Sequence, residues 1–139
     1  MICKFKESKY ELTCINMKTK QDILSQDDVV YMVNSFYDKI KIDKLLSPIF
    51  NDFAKVDWSD HLPKMYRFWE YLIFGIPGYK GQPLPGNLKL PVTQKHFSRW
   101  LQLFTENIDE RFEGHNTEYA KGKAAGVAVT FQYKIALFK

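Results

Sequence analysis

Four stretches of this chain repeat apolar side chains at helical spacing, and that periodicity restricts the fold more than any other feature. In the clearest stretch, Phe97, Trp100, Leu101, Phe104 and Ile108 fall at i, i+3, i+4, i+7 and i+11, with Thr93 placed to cap the first turn. Val29, Val30, Val33, Phe36, Tyr37 and Ile40 predict an earlier helix over about Asp27 to Lys41, capped by Asp27 or Asp28. Leu62, Met65, Trp69, Leu72 and Ile73 mark another, running from Trp58 to Phe74. Pro63 has no N–H to give, so this helix should begin close to it or be kinked where it starts. Asn116 or Thr117 should cap the last helix, whose apolar face is Ala124, Val127, Ala128, Phe131 and Ile135. Four amphipathic helices without a convincing strand give an all-α domain.

The remaining segments set its limits. Residues 1–19 lack sustained periodicity and read as a flexible arm before a domain over 20–139, with Met17 as an alternative start. A short connection passes through Leu45, Leu46, Pro48, Ile49 and Phe50. Residues 75–91 hold Gly75, Gly78, Gly81 and Gly86 with Pro77, Pro83, Pro85 and Pro91, which no regular helix of any length survives. An irregular segment of that length in a small domain is often a binding loop.

Net charge is +4, but five Lys and two Glu in residues 1–20 contribute +3 of it, leaving +1 for the rest. Without a basic helix face or a nucleic-acid motif, binding to DNA or RNA is disfavoured. The longest greasy run, Tyr71 to Phe74, stops at Gly75, far short of a membrane span. The first residues do not resemble a secretory signal. Cys3 and Cys14 read as incidental reduced thiols, so the expected location is cytoplasmic.

Familiar catalytic patterns are missing. His61, His96 and His115 stand apart from one another and from cysteine, which leaves no zinc signature. Nor is there a nucleophile elbow, a P-loop or a dinucleotide fingerprint, so hydrolytic catalysis has no support. Aromatic residues form 16% of the chain, and they can either fill a core or line the pocket of a flat ligand. Three of the polar-tipped residues on apolar helix faces are Tyr37, His61 and Trp100. Each reads singly as a core residue satisfied by the backbone, but together they could hold a polar ligand in a greasy cavity.

Several motifs in order carry a resemblance. They are Phe36-Tyr-Asp-Lys-Ile40, Leu46-Ser-Pro-Ile-Phe50, Asp57-Trp-Ser-Asp-His-Leu-Pro-Lys-Met65, Phe68-Trp69, Tyr79-Lys-Gly-Gln-Pro83, His96 through Phe104, and Phe112-Glu-Gly114. Over roughly residues 20–137 the chain resembles the truncated globins of group III. The resemblance implies a two-over-two helical sandwich around haem b, with one proximal histidine on the iron. It also implies a distal Tyr37, His61 and Trp100, whose donors would stabilise bound dioxygen, and pocket walls from Met65, Trp69 and Phe97. The implied role is binding dioxygen or nitric oxide as carrier, sensor or detoxifying dioxygenase, with a reductase as candidate partner. A ligand-binding fold is expected more than an enzyme.

One position departs from the family. Its pattern Gly-x-Pro-x-x-x-His places the iron ligand at 87, and this chain has Gly81, Pro83 and Asn87. Pro85 and Gly86 also stand where helix-compatible residues belong, so an irregular loop is expected in place of a regular proximal helix. Asn87 offers iron only a neutral amide oxygen and should ligate poorly. That leaves His61 as a candidate metal ligand, or a haem-free module that binds another apolar ligand or a protein. Arg67, Lys80 and Arg99 are candidates for propionate partners by charge alone.

Overall fold

The computed structural model describes residues 20–53, 55–79 and 91–137. The expectations for the arm at 1–19, for Cys3 and Cys14, and for Lys80, Pro85, Gly86 and Asn87 in the loop lie outside the described residues. Four α-helices are present: α1 (Gln26–Ile42), α2 (Trp58–Phe74), α3 (Gln94–Arg111) and α4 (His115–Leu137). Among the described residues there is no strand, only an isolated bridge between Gln21 and Phe112. No helix among them is long and apolar enough to cross a membrane.

The helix ends show where local chemistry decided and where it did not. α1 begins one residue earlier than its apolar pattern predicts. The cap is Ser25, whose hydroxyl accepts from the Asp28 N–H at 3.3 Å, while the Asp28 carboxylate accepts from the Leu24 N–H at 2.9 Å. Asp27 and Asp28 therefore lie inside the first turn, where their charge suits the helix dipole. After α1 the Asp43 carboxylate accepts from the Leu45 and Leu46 N–H groups and turns the chain. The expected connection beyond it is in part a π-helical segment, Pro48–Phe53, a geometry found frequently at functional sites.

α2 starts at Trp58 with Asp57 as its cap, so Pro63 lies within the helix and not beside its start. Its cost there is one missing backbone hydrogen bond plus ring crowding, which tertiary packing of the helix outweighs. Gly75, with φ 72°, ends α2 in the left-handed region and returns its N–H to the Tyr71 carbonyl at 3.0 Å. At the start of α3 the Thr93 N–H donates to Nδ1 of His96 at 2.9 Å. His96 thus closes its own helix terminus.

The cap of α4 comes from elsewhere in the chain. Neither Asn116 nor Thr117 caps it; Asp22 accepts from the Asn116 N–H (2.8 Å), the Thr117 N–H (2.9 Å) and the Thr117 hydroxyl (2.8 Å). Gly114, at φ 135°, makes room for this approach, because a Cβ there would lie 2.6 Å from the Asp22 carboxyl carbon.

α1 packs on α2 and α3, α3 packs on α4, and α4 closes back onto α2. The two helix pairs enclose one core, into which α4 sends Ala120, Ala124, Ala128 and Phe131. The small alanines leave the centre of that core to aromatic rings from the other three helices.

Candidate functional site

All six residues expected to line a pocket (Tyr37, His61, Met65, Trp69, Phe97 and Trp100) are buried, and they come from α1, α2 and α3. Tyr37, His61, Trp69 and Trp100 are linked through a chain of ring contacts. Tyr37 meets the His61 ring edge-on at 5.4 Å and Trp58 at 5.4 Å, and His61 meets Trp58 at 5.8 Å. Phe36 links this group to the third helix, with Tyr37 at 4.9 Å on one side and Trp100 at 5.5 Å on the other. Phe104 stacks between Trp69 at 4.9 Å and Trp100 at 6.0 Å. Aromatic pairs of this kind add rigidity and about 0.5–1.5 kcal/mol each beyond area burial.

Among the described residues three buried polar side-chain atoms have no hydrogen-bond partner: Nε2 of His61, the hydroxyl of Tyr79 and Nε1 of Trp100. Such orphans are rare, since leaving a buried donor or acceptor unpaired costs about 1–3 kcal/mol. Two of them belong to residues expected at the site. The third, Tyr79, carries a signal that periodicity cannot detect, because it lies in the irregular stretch after Gly75. Trp58 and Phe104 were likewise legible only as core residues.

The protonation states follow from burial. Desolvation by its apolar neighbours pushes the His61 imidazole down to about 4, nearby Lys64 adding to the effect and Asp60 opposing it. His61 is therefore neutral at physiological pH, with a lone pair or an N–H free at Nε2. Burial holds the Tyr37 phenol well above its ordinary range, reinforced by the nearby Tyr79 phenol. Tyr79 is itself raised to about 12 by burial. Both tyrosines remain protonated donors.

Other candidates separate from this chamber. Arg99 grips the Asp43 carboxylate through Nε and Nη2, both at 2.8 Å, which leaves it committed to the end of α1. Arg67 is exposed, and His115 is an exposed residue at the start of α4. No group of three or more His, Cys, Asp or Glu side chains among the described residues could hold a metal ion by themselves.

Comparison with known proteins agrees with this arrangement. The Bacterial-like globin family profile matches residues 21–132. The chain is 32% identical over 117 residues to the group 3 truncated hemoglobin of Campylobacter jejuni, spanning 81% of this chain and 92% of that protein. The crystal structure of a group III truncated hemoglobin from the same organism superposes with a TM-score of 0.71 at 32% identity, covering 83% of this chain and 94% of the other. The all-α, globin-like sandwich expected from the sequence is the fold observed.

Proposed function

The chain belongs to the bacterial-like (truncated) globin family, and from that premise we propose that it binds haem and a diatomic gas in the aromatic chamber, without the usual proximal imidazole. The observation that carries the reading is the set of unpartnered polar atoms on His61, Tyr79 and Trp100. A chamber kept only for stability would have apolar residues at these places. A ligand with polar groups would repay their desolvation.

The residues fit that group on the side they describe. Met65, Trp69 and Phe97 are buried apolar side chains that would keep water from a porphyrin face. Bound haem supplies an iron centre that takes dioxygen or nitric oxide. Trp100 can only donate, and its Nε1–H is unpaired. Tyr37 keeps its proton because the phenolate is disfavoured by burial, so it too offers an O–H. His61, neutral and free at Nε2, can donate or accept according to its tautomer.

Asn87 supports the altered part of the reading: an amide oxygen binds iron weakly where an imidazole would bind it firmly. The test is titration of the full chain with hemin, comparing wild type with Asn87→His. Wild type should show a Soret band distinct from free hemin, and the variant should gain a five-coordinate ferrous form that binds CO. A wild-type spectrum identical to free hemin sinks the reading.

Asn87 with Pro85 and Gly86 also favours a second reading, a haem-free globin module that takes another apolar ligand or a protein partner. Stoichiometric haem with reversible CO binding in freshly isolated protein excludes it. A reductase partner and a cytoplasmic location belong to the first reading, as does the choice among carrier, sensor and dioxygenase.

A further inference from the structure

Trp58 is the first residue of α2 and only half-buried, although its ring touches two of the most enclosed polar residues of the chain. It meets Tyr37 at 5.4 Å and the edge of the His61 ring at 5.8 Å, and Phe50 of the π-helical segment stacks on it at 6.0 Å. Tyr37 is 2% exposed and His61 9%. The other contacts of Trp58 lead toward water. Its indole N–H donates to Oδ1 of the exposed Asn51 at 3.3 Å, and Nζ of Lys41, from the last turn of α1, lies 4.9 Å from its ring centroid.

The outward contacts are weak and the helix beneath them is firm. A 3.3 Å bond to an exposed amide is longer than the ordinary N–H···O range, and water competes for an ammonium that sits over an indole at the surface. The inward contacts join rings, so a turn about the two side-chain bonds of Trp58 breaks no hydrogen bond on that side. Meanwhile the Asp57 carboxylate accepts from the Ser59 N–H at 3.1 Å and from its hydroxyl at 2.7 Å, which fixes the start of α2 without help from the indole. The ring can therefore swing while the helix stays wound. His61 follows three residues later on the same face of α2, directly behind it.

We propose that Trp58 is a hinged cover over His61, latched by Asn51 and Lys41, and that small neutral molecules reach His61 and Tyr37 when the indole turns outward. The way in runs between the end of α1, the segment Pro48–Phe53 and the start of α2. An ion would shed its water against Phe50 and Trp58 without a replacement partner, which restricts passage to uncharged species. The cover belongs to the ligand-free fold, whichever molecule passes it.

Diethyl pyrocarbonate, which acylates neutral imidazole, reports the opening. Ligand-free wild type, Asn51→Ala, Lys41→Met and Trp58→Ala are treated at neutral pH, and adducts at His61 and at the exposed His115 are quantified by peptide mass spectrometry. His61 should react slowly in wild type, about fivefold faster in each latch variant and about tenfold faster or more in Trp58→Ala, with His115 unchanged. Asn51 and Lys41 lie toward the surface, so their variants decide the matter even where Trp58→Ala fails to fold. Below the unfolding transition the wild-type rate at His61 should be flat in urea, because turning one ring exposes little surface. A wild-type rate at His61 in both latch variants or in folded Trp58→Ala overturns the proposal. So does a His61 rate that climbs with urea along the global unfolding slope, since His61 would then be reached only by unfolding.

Discussion

Replacing His61 with leucine should make the ligand-free protein more stable, with a margin that widens as the solution is acidified. At neutral pH the wild-type imidazole is buried with Nε2 unpaired, a cost of about 1–3 kcal/mol. Leucine removes that cost and keeps an apolar side chain of comparable bulk. It forfeits the ring contacts to Tyr37 and Trp58, so the net gain is about 1 kcal/mol. Acid adds a second term. The native imidazole titrates near 4 and the unfolded one near 6.5, so between these values the unfolded chain binds the extra proton. Stability contributed by neutral His61 is therefore intact above about pH 6.5 and lost as pH falls toward 4. At about 1.4 kcal/mol per unit the ceiling is about 3 kcal/mol, which partial access of water to the ring lowers to about 2. Urea unfolding followed by circular dichroism, with equal m-values checked, should give a difference of about 1 kcal/mol at pH 7.5 and about 3 at pH 4.5. A difference that stays constant across that range, or a variant less stable than wild type at pH 7.5, would falsify the claim that this histidine is retained at the expense of the fold.

Other substitutions probe the scaffold. Asp22→Ala strips the Asn116 and Thr117 N–H groups and the buried Thr117 hydroxyl of their acceptor, and should cost about 3 kcal/mol in urea unfolding. Burial alone would raise the Asp22 carboxyl, but hydrogen bonds from Asn116, Thr117 and Ile23 prevail and hold it below the usual range. Its contribution is thus present above about pH 4 and lost as pH falls through the native value, and Asp22→Asn should flatten that acid limb of the stability profile. Gly114→Ala should destabilise by about 2–3 kcal/mol, since φ is 135° and the new Cβ collides with Asp22; a neutral result would mean that the terminus relaxes freely. Gly122→Ala and Gly126→Ala meet open space within α4, so each should stabilise by about 0.5–1 kcal/mol and raise the thermal midpoint. Trp100→Phe should leave the ligand-free fold within about 1 kcal/mol of wild type while speeding dissociation of bound dioxygen severalfold in stopped flow.

The helices were legible because their cause is local. Periodic burial in α2 and α3 requires apolar residues every third or fourth position, and the caps at Asp57 and Thr93 act on the next three residues. Pro63 did not move the start of α2 from the expected Trp58, since one lost hydrogen bond is small beside the packing of a whole helical face. The motif order from Phe36 to Gly114 also revealed the family. That inference depends on residue identity and spacing, which the chain displays openly.

What tertiary structure alone decided concerns groups whose partners are far along the chain, or missing. Asp22 caps a helix that begins nearly a hundred positions later, a pairing no local pattern encodes because the fold creates the proximity. The π-helical segment at Pro48–Phe53 buries Ile49 and Phe50, the latter against Tyr37 of α1 and Trp58 of α2, contacts that no local pattern encodes. Above all, the bare sequence could not distinguish a satisfied core histidine or tryptophan from an unsatisfied one. Only the packed interior shows that His61, Tyr79 and Trp100 lack partners, because hydrogen bonding depends on three-dimensional neighbours. The sequence by itself determined the all-α globin fold and set Asn at position 87. The packing decided that three buried polar groups among the described residues go unmet, one of them on a tyrosine that no periodicity marks.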